Sequence, residues 1–153
     1  MKQIKIFGLL VLVLLLTACG ANKEAIDEDD FISIMTDKKF KIVNVEEQFN
    51  QYKYFEEAIV AIQENNNYQI EFYELENDGY AKSFYETNKE IFEQSKTDTS
   101  IKTNVDLTDS SKYTLTTDKE YKVLSRIEDT VIYLNVSKTY KDEVNNILKK
   151  LGY

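Results

Sequence analysis

The sequence predicts an α+β fold in which one antiparallel sheet carries helices packed on one face. Apolar and polar residues alternate over several short runs, a pattern typical of half-buried strands. Two pairs of such runs, within residues 57–95 and 121–151, are each followed by apolar residues at helical spacing. Two hairpin–helix units placed side by side would form one sheet under a layer of helices.

The first unit lies in residues 57–95. Residues 58–62 are a continuous apolar run and residues 68–73 alternate, so we expect a hairpin that turns at the asparagines of residues 65–67. A helix capped by Asn77 or Asp78 follows. Its predicted buried stripe includes Ala81, Phe84, Tyr85, Ile91 and Phe92.

The second unit is predicted as a hairpin of residues 121–127 and 130–136 that turns at Glu128 and Asp129. Its helix should begin with Thr139 as the N-cap and end at Gly152. The remaining predicted elements are a helix at 25–38, a strand at 40–45, a helical turn or two at 46–54 and strands at 101–107 and 112–116.

The amino terminus has a pattern of its own. Lys2 and Lys5 precede an uncharged apolar run of 11 residues at positions 6–16. The small residues Thr17 and Ala18 follow the run. A helix of this length would span only ~16 Å, about half of the ~30 Å hydrocarbon core of a bilayer. The segment is therefore typical of a secretory signal peptide.

The sequence Leu16-Thr17-Ala18-Cys19 resembles the lipobox of bacterial lipoproteins. The resemblance implies that a diacylglycerol is attached to Cys19 and that the chain is cleaved between Ala18 and Cys19. It divides the chain into a signal peptide (1–18), a lipidated cysteine with a short tether (19–24) and a single α+β domain (25–153). The alternatives are an ordinary cleaved signal or a short membrane helix with an incidental cysteine.

The domain behind this segment resembles the small uncharacterised lipoproteins of low-GC Gram-positive bacteria, and that resemblance carries no active site with it. We expect the protein on the extracytoplasmic side of the cell membrane, held by two acyl chains, because one chain alone binds only marginally.

Composition narrows the classes of function. Cleavage would remove Lys2 and Lys5, leaving 17 basic against 27 acidic residues and a net charge of −10, which disfavours nucleic acid as a partner. The chain has no histidine and no cysteine besides Cys19, so it lacks an imidazole base, a free thiol nucleophile and the usual ligands of zinc. We therefore expect no enzyme activity, no metal and no cofactor other than the covalent lipid.

The candidate binding face consists of Arg126, Tyr133, Lys122, Glu71 and Tyr73. A hairpin that turns at residues 128–129 places Arg126, Tyr133 and Lys122 on one face of the sheet. On the earlier strand, Glu71 and Tyr73 point away from the core side. Arg126 is the only arginine of the chain, and its planar guanidinium suits a carboxylate or phosphate. The alternative is a structural ion pair, for example with Glu71.

Two functional hypotheses follow. The first is a membrane-anchored lipoprotein whose domain binds a protein, a peptide or another component of the cell envelope, or serves as an accessory module, through an exposed sheet face. The second is a hydrolase at the cell envelope that uses carboxylates near Glu71 and Glu74, which would need two acidic side chains facing one cleft.

Overall fold

The computed structural model describes residues 24–153, so the predictions for the signal peptide, the cleavage site and Cys19 lie outside the described residues. The strands are β1 (Lys41–Asn44), β2 (Phe55–Ile62), β3 (Gln69–Leu75), β4 (Ile101–Asp106), β5 (Ser110–Thr116), β6 (Glu120–Ile127) and β7 (Thr130–Ser137). The helices are α1 (Glu28–Asp37), α2 (Asp78–Gln94) and α3 (Lys141–Lys150). Short 3-10 turns occur at Glu46–Phe49 and Lys138–Tyr140.

All seven strands form one antiparallel sheet in the order β1-β2-β3-β7-β6-β5-β4. The α+β class and the antiparallel sheet are confirmed. Each predicted unit is present as a hairpin followed by a helix, β2-β3-α2 and β6-β7-α3, and the pairing of β3 with β7 joins the two units at the centre.

The helix ends follow from local side-chain chemistry. The carboxylate of Asp27 accepts a hydrogen bond from the Asp30 amide at 2.8 Å, which caps α1. Asn77 accepts from the Tyr80 amide at 3.1 Å, so Asn77 is the cap of α2 and Asp78 is its first residue. The prediction that Thr139 caps α3 is wrong, because the chain makes a 3-10 turn at Lys138–Tyr140 before α3 begins.

The helices cover both faces of the sheet, so the prediction that they pack on one face is wrong. Ile70 and Phe72 of β3 belong to a core with α1 and α3, which we call the two-helix face. Tyr73 and Leu75 of the same strand belong to a core with α2, which we call the one-helix face. Because successive side chains of a strand point to opposite faces, a strand that is apolar at both parities needs cover on both sides.

The two-helix face holds the larger core. The rings of Phe31 in α1 and Phe72 in β3 stack with their centroids 4.9 Å apart. Val144 and Leu148 of α3 are fully buried in the same cluster, as is Ile132 of β7. Close packing of apolar side chains therefore fixes both helices on this face.

Candidate functional site

The five residues of the predicted binding face lie on one face of the sheet, as the alternation of the strands predicts. Glu71 is opposite Tyr133, which is opposite Leu124, and Tyr73 is opposite Val131. Lys122 and Arg126 share the parity of Leu124 on β6, so all five side chains belong to the one-helix face.

That face is not open, because α2 lies across it. Arg126 is fully buried, Tyr73 and Lys122 are buried, and Tyr133 and Glu71 are half-buried. The ring of Phe92 in α2 packs against Tyr133 with the centroids 5.0 Å apart. The expectation of an exposed sheet face that presents Arg126 and Tyr133 together is therefore wrong.

Arg126 is held by contacts within the chain. Its guanidinium is paired with the carboxylate of Asp78, in the first turn of α2. Nη1 also donates to the Glu128 carbonyl and Nη2 to the Thr108 carbonyl, each at 3.1 Å. Arg126 therefore forms a structural ion pair, with Asp78 as the partner in place of Glu71.

Lys122 is the second buried cation of this face. Its Nζ donates to Ser95 Oγ at 2.8 Å and lies 3.2 Å from a carboxylate oxygen of Glu120. The same ammonium lies 5.5 Å from the ring centroid of Phe92. Since Ser95 is the C-cap of α2, Lys122 places a positive charge where the helix dipole favours it.

Glu71 is bound to its own strand. One carboxylate oxygen accepts from the Tyr73 hydroxyl at 2.5 Å and the other from the Gln69 amide at 2.7 Å. Burial raises the pKa of Tyr73, and the adjacent Glu71 carboxylate raises it further. Tyr73 therefore remains a neutral hydrogen-bond donor that holds Glu71 in place.

The one-helix face is open beyond the C-terminal end of α2. Two shallow concavities of about 590 and 510 Å³ adjoin there and share Asn135. We call this region the polar notch. Its defining residues are Gln69, Glu71, Glu120, Tyr133, Asn135 and Ser137.

The polar notch offers hydrogen-bonding groups beside one aromatic ring. Burial raises the pKa of Tyr133, as do the nearby Glu71 and Glu120 carboxylates, so its phenol stays protonated. The amide of Asn135 lies within 3.5 Å of a Glu120 carboxylate oxygen. A phenol, an amide and two carboxylates can hold a ligand that carries hydroxyl, amide or ammonium groups.

Sequence reasoning found Glu71 and Tyr133 but missed Gln69, Glu120, Asn135 and Ser137 as members of the notch. The strand alternation places Asn135 on the same face as Tyr133, and that signal could have found it. The end of α2 is what leaves these residues open, and strand parity alone does not contain the position of a helix.

Glu71 and Glu74 do not face a common cleft. They are three residues apart on β3, and Glu74 has the parity of Phe72, which points to the two-helix face. The sheet therefore separates the two carboxylates, and this pair cannot supply the acid and base of a hydrolase.

Within residues 24–153, no group of three or more His, Cys, Asp or Glu side chains is arranged to hold a metal ion. Over the same residues, none of the helices is both long and apolar enough to cross a membrane.

No protein-family model, curated protein or solved structure matches the chain.

Proposed function

We propose that this protein is an extracytoplasmic lipoprotein, anchored in the cell membrane through Cys19, whose domain is a binding or accessory module of the cell envelope. The observation that carries the proposal is the order of charge, apolar run, small residues and cysteine that ends in Leu16-Thr17-Ala18-Cys19. Two acyl chains on Cys19 would hold the domain stably at the bilayer.

The start of the domain is compatible with an anchor at Cys19 that leaves the polar notch free. Its first helix begins at Glu28, nine residues after Cys19, so the tether is short. Glu74, at the far end of β3 from Gln69, lies near Asp27 and Glu28 at the start of α1. The seven residues of β3 separate its ends by ~20 Å, so α1 begins at one end of the sheet and the polar notch lies at the other.

Membrane retention tests the anchor. The full-length Cys19→Ser variant should move from carbonate-washed membranes to the soluble or precursor fraction and lose labelling by a fatty-acid analogue. Ala21→Ser, which leaves residues 16–19 intact, is the matched control and should stay in the membrane. If Cys19→Ser is retained and labelled like the control, the lipid anchor is refuted.

Photo-crosslinking tests the binding role of the notch. A photoreactive amino acid at Asn135 in the anchored protein should give discrete adducts with an envelope component after irradiation of intact cells. The control position is Ser33, an exposed residue of α1 on the opposite face. Absence of adducts at Asn135, or the same adducts at both positions, would refute the polar notch as the binding site.

A further inference from the structure

The strand β4 forms an unprotected edge of the sheet. It is last in the strand order, and all six of its residues are exposed. Three large apolar side chains lie on or directly after it, with Ile101 71%, Val105 52% and Leu107 63% exposed. The strand contains no proline and its register with β5 shows no bulge, so it lacks two usual protections against edge pairing.

The opposite edge is protected. β1 has only four residues, its two central residues Ile42 and Val43 are half-buried, and Ile42 packs against the core that includes α1. Short length and helical cover both discourage pairing with another strand. The two edges of the sheet therefore differ in their ability to accept a further strand.

The open edge has a defined set of backbone groups. The Leu107 amide donates to the Ser110 carbonyl at 2.8 Å, so Leu107 bonds toward β5. In an antiparallel ladder the direction alternates from one residue to the next. Lys102, Asn104 and Asp106 therefore direct their N–H and C=O groups toward the unpaired edge.

The side chains around Asn104 are complementary to themselves. If a second β4 runs antiparallel with Asn104 opposite Asn104, Lys102 of each copy lies opposite Asp106 of the other. In the same register Ile101 lies opposite Leu107. Opposite charges and apolar pairs directly across antiparallel strands are stabilising, and both sets occur twice about the symmetry axis.

We propose that two copies of this protein associate through β4 in this register. The pairing joins their seven-stranded sheets into one continuous antiparallel sheet with a two-fold axis at Asn104. It satisfies the outward backbone groups of Lys102, Asn104 and Asp106 and covers Ile101 and Leu107. The self-complementary charges select a second copy over an extended peptide of unrelated sequence.

The dimer geometry also agrees with the proposed anchor, although β4 pairing itself does not depend on it. A two-fold axis perpendicular to the sheet leaves the same face of both copies on the same side. Because Ala25, Ile26 and α1 lie on the two-helix face, the described part of the chain begins on that side in both copies, so both lipid anchors can reach one bilayer. The sheet would then lie parallel to the membrane with the two-helix face toward it.

Cysteine cross-linking of the full-length protein in membranes tests the contact. Asn104→Cys places two thiols on the symmetry axis, so mild oxidation should give a covalent dimer on a non-reducing gel. The wild-type chain, which contains Cys19 alone, and Lys41→Cys on the protected edge are the controls and should remain monomeric. If Asn104→Cys gives no more dimer than Lys41→Cys, the proposal is overturned.

Charge exchange tests the register. In the Asn104→Cys background, Lys102→Asp creates two like-charge pairs and should lower cross-linking by about tenfold. The double exchange Lys102→Asp/Asp106→Lys should restore it, whereas Lys53→Asp, a matched change at an exposed loop residue, should have no effect. Failure of the double exchange to restore the dimer would overturn the register and favour another occupant of the edge.

A further variant guards against misfolding, because Lys102 also contacts Glu93 at 3.1 Å within its own chain. Leu107→Ser leaves that ion pair intact and should also lower cross-linking through Asn104→Cys. Resistance to protease in the same membranes reports whether each variant is folded. Unchanged cross-linking in a folded Leu107→Ser protein would contradict the proposed apolar contact.

Discussion

The two faces of the sheet are stabilised in different ways. On the two-helix face, α1 and α3 bury apolar side chains such as Phe31 and Leu148 against apolar strand residues. On the one-helix face, α2 covers Lys122 and Arg126, the two buried cations of residues 24–153. Arg126 binds the first residue of α2 and Lys122 binds its C-cap, so directional contacts fix both ends of one helix.

The difference shows what each kind of contact contributes. Apolar burial is non-directional and is the largest favourable contribution to folding. A buried cation contributes less net stability but penalises any other placement, because loss of its partner leaves its charge in a dry environment. We infer that the two-helix face supplies most of the stability and that the buried cations set the position of α2, whose end leaves the polar notch open.

Truncation of Phe72 should have the largest effect, because it removes a fully buried ring that stacks on Phe31. We expect Phe72→Ala to lower the free energy of unfolding by about 3–5 kcal/mol in urea titrations followed by circular dichroism. Ile91→Ala, at a residue of α2 that is 52% exposed, is the control and should change it little. A loss as small as that of Ile91→Ala would show that the two-helix face is not the main source of stability.

Removal of Arg126 should have the next largest effect, on the one-helix face. Arg126→Ala leaves a cavity and takes the donors away from the Thr108 and Glu128 carbonyls, so we expect a loss of about 2–4 kcal/mol in the same titrations. Amide hydrogen exchange should show α2 exchanging faster than α3.

Lys122→Met is the comparison for Arg126→Ala. It keeps the apolar length of the side chain against Phe92 while removing the charge, and should cost less than about 1.5 kcal/mol. If α2 and α3 exchange alike in Arg126→Ala, the guanidinium does not fix α2.

Much of the sheet was predictable from the sequence because apolar and polar residues alternate every second position, which is also the period with which the side chains of a strand change face. The register of β6 with β7 follows from a two-residue turn at Glu128 and Asp129, and the positive φ of 52° at Glu128 is what such a turn requires. Once that turn is fixed, alternation assigns Arg126 and Tyr133 to one face.

The cover of that face was not predictable in the same way. Alternation gives the parity of a side chain but not which helix lies over it, and lysine, arginine and tyrosine suggested an open surface. Arg126 binds Asp78 and not Glu71 because the register places Arg126 level with Val131 and Tyr73, two residues along from Glu71, and α2 brings Asp78 over the sheet. These contacts depend on how α2 packs across the sheet, and that packing joins residues that are far apart in the sequence.

A smaller effect, of opposite sign, is expected from two carboxylates at the edge of the two-helix face. Glu57 and Glu74 lie directly opposite each other on β2 and β3, near the start of α1. Burial raises the pKa of each, and neighbouring carboxylates, among them Glu28, raise both further. We therefore expect these carboxylates to lower the stability of the two-helix face where it adjoins the acidic first turn of α1.

Replacement of Glu74 by glutamine should therefore stabilise the protein at neutral pH. The pKa of Glu74 is higher in the folded protein than the ordinary value of 4.5, so the folded state binds the proton more tightly than the unfolded state. Proton binding at Glu74 therefore stabilises the folded state at low pH, and this stabilisation is lost as the pH rises through the folded pKa. Glu74→Gln removes the loss, so we expect its Tm at pH 7 to rise by about 1–3 °C. The gain should shrink toward pH 4.5, whereas Glu90→Gln, at an exposed position on α2, should leave the Tm unchanged at both pH values. A Glu74→Gln variant less stable than the wild type at pH 7 would mean that this carboxylate supports the face that we expect it to weaken.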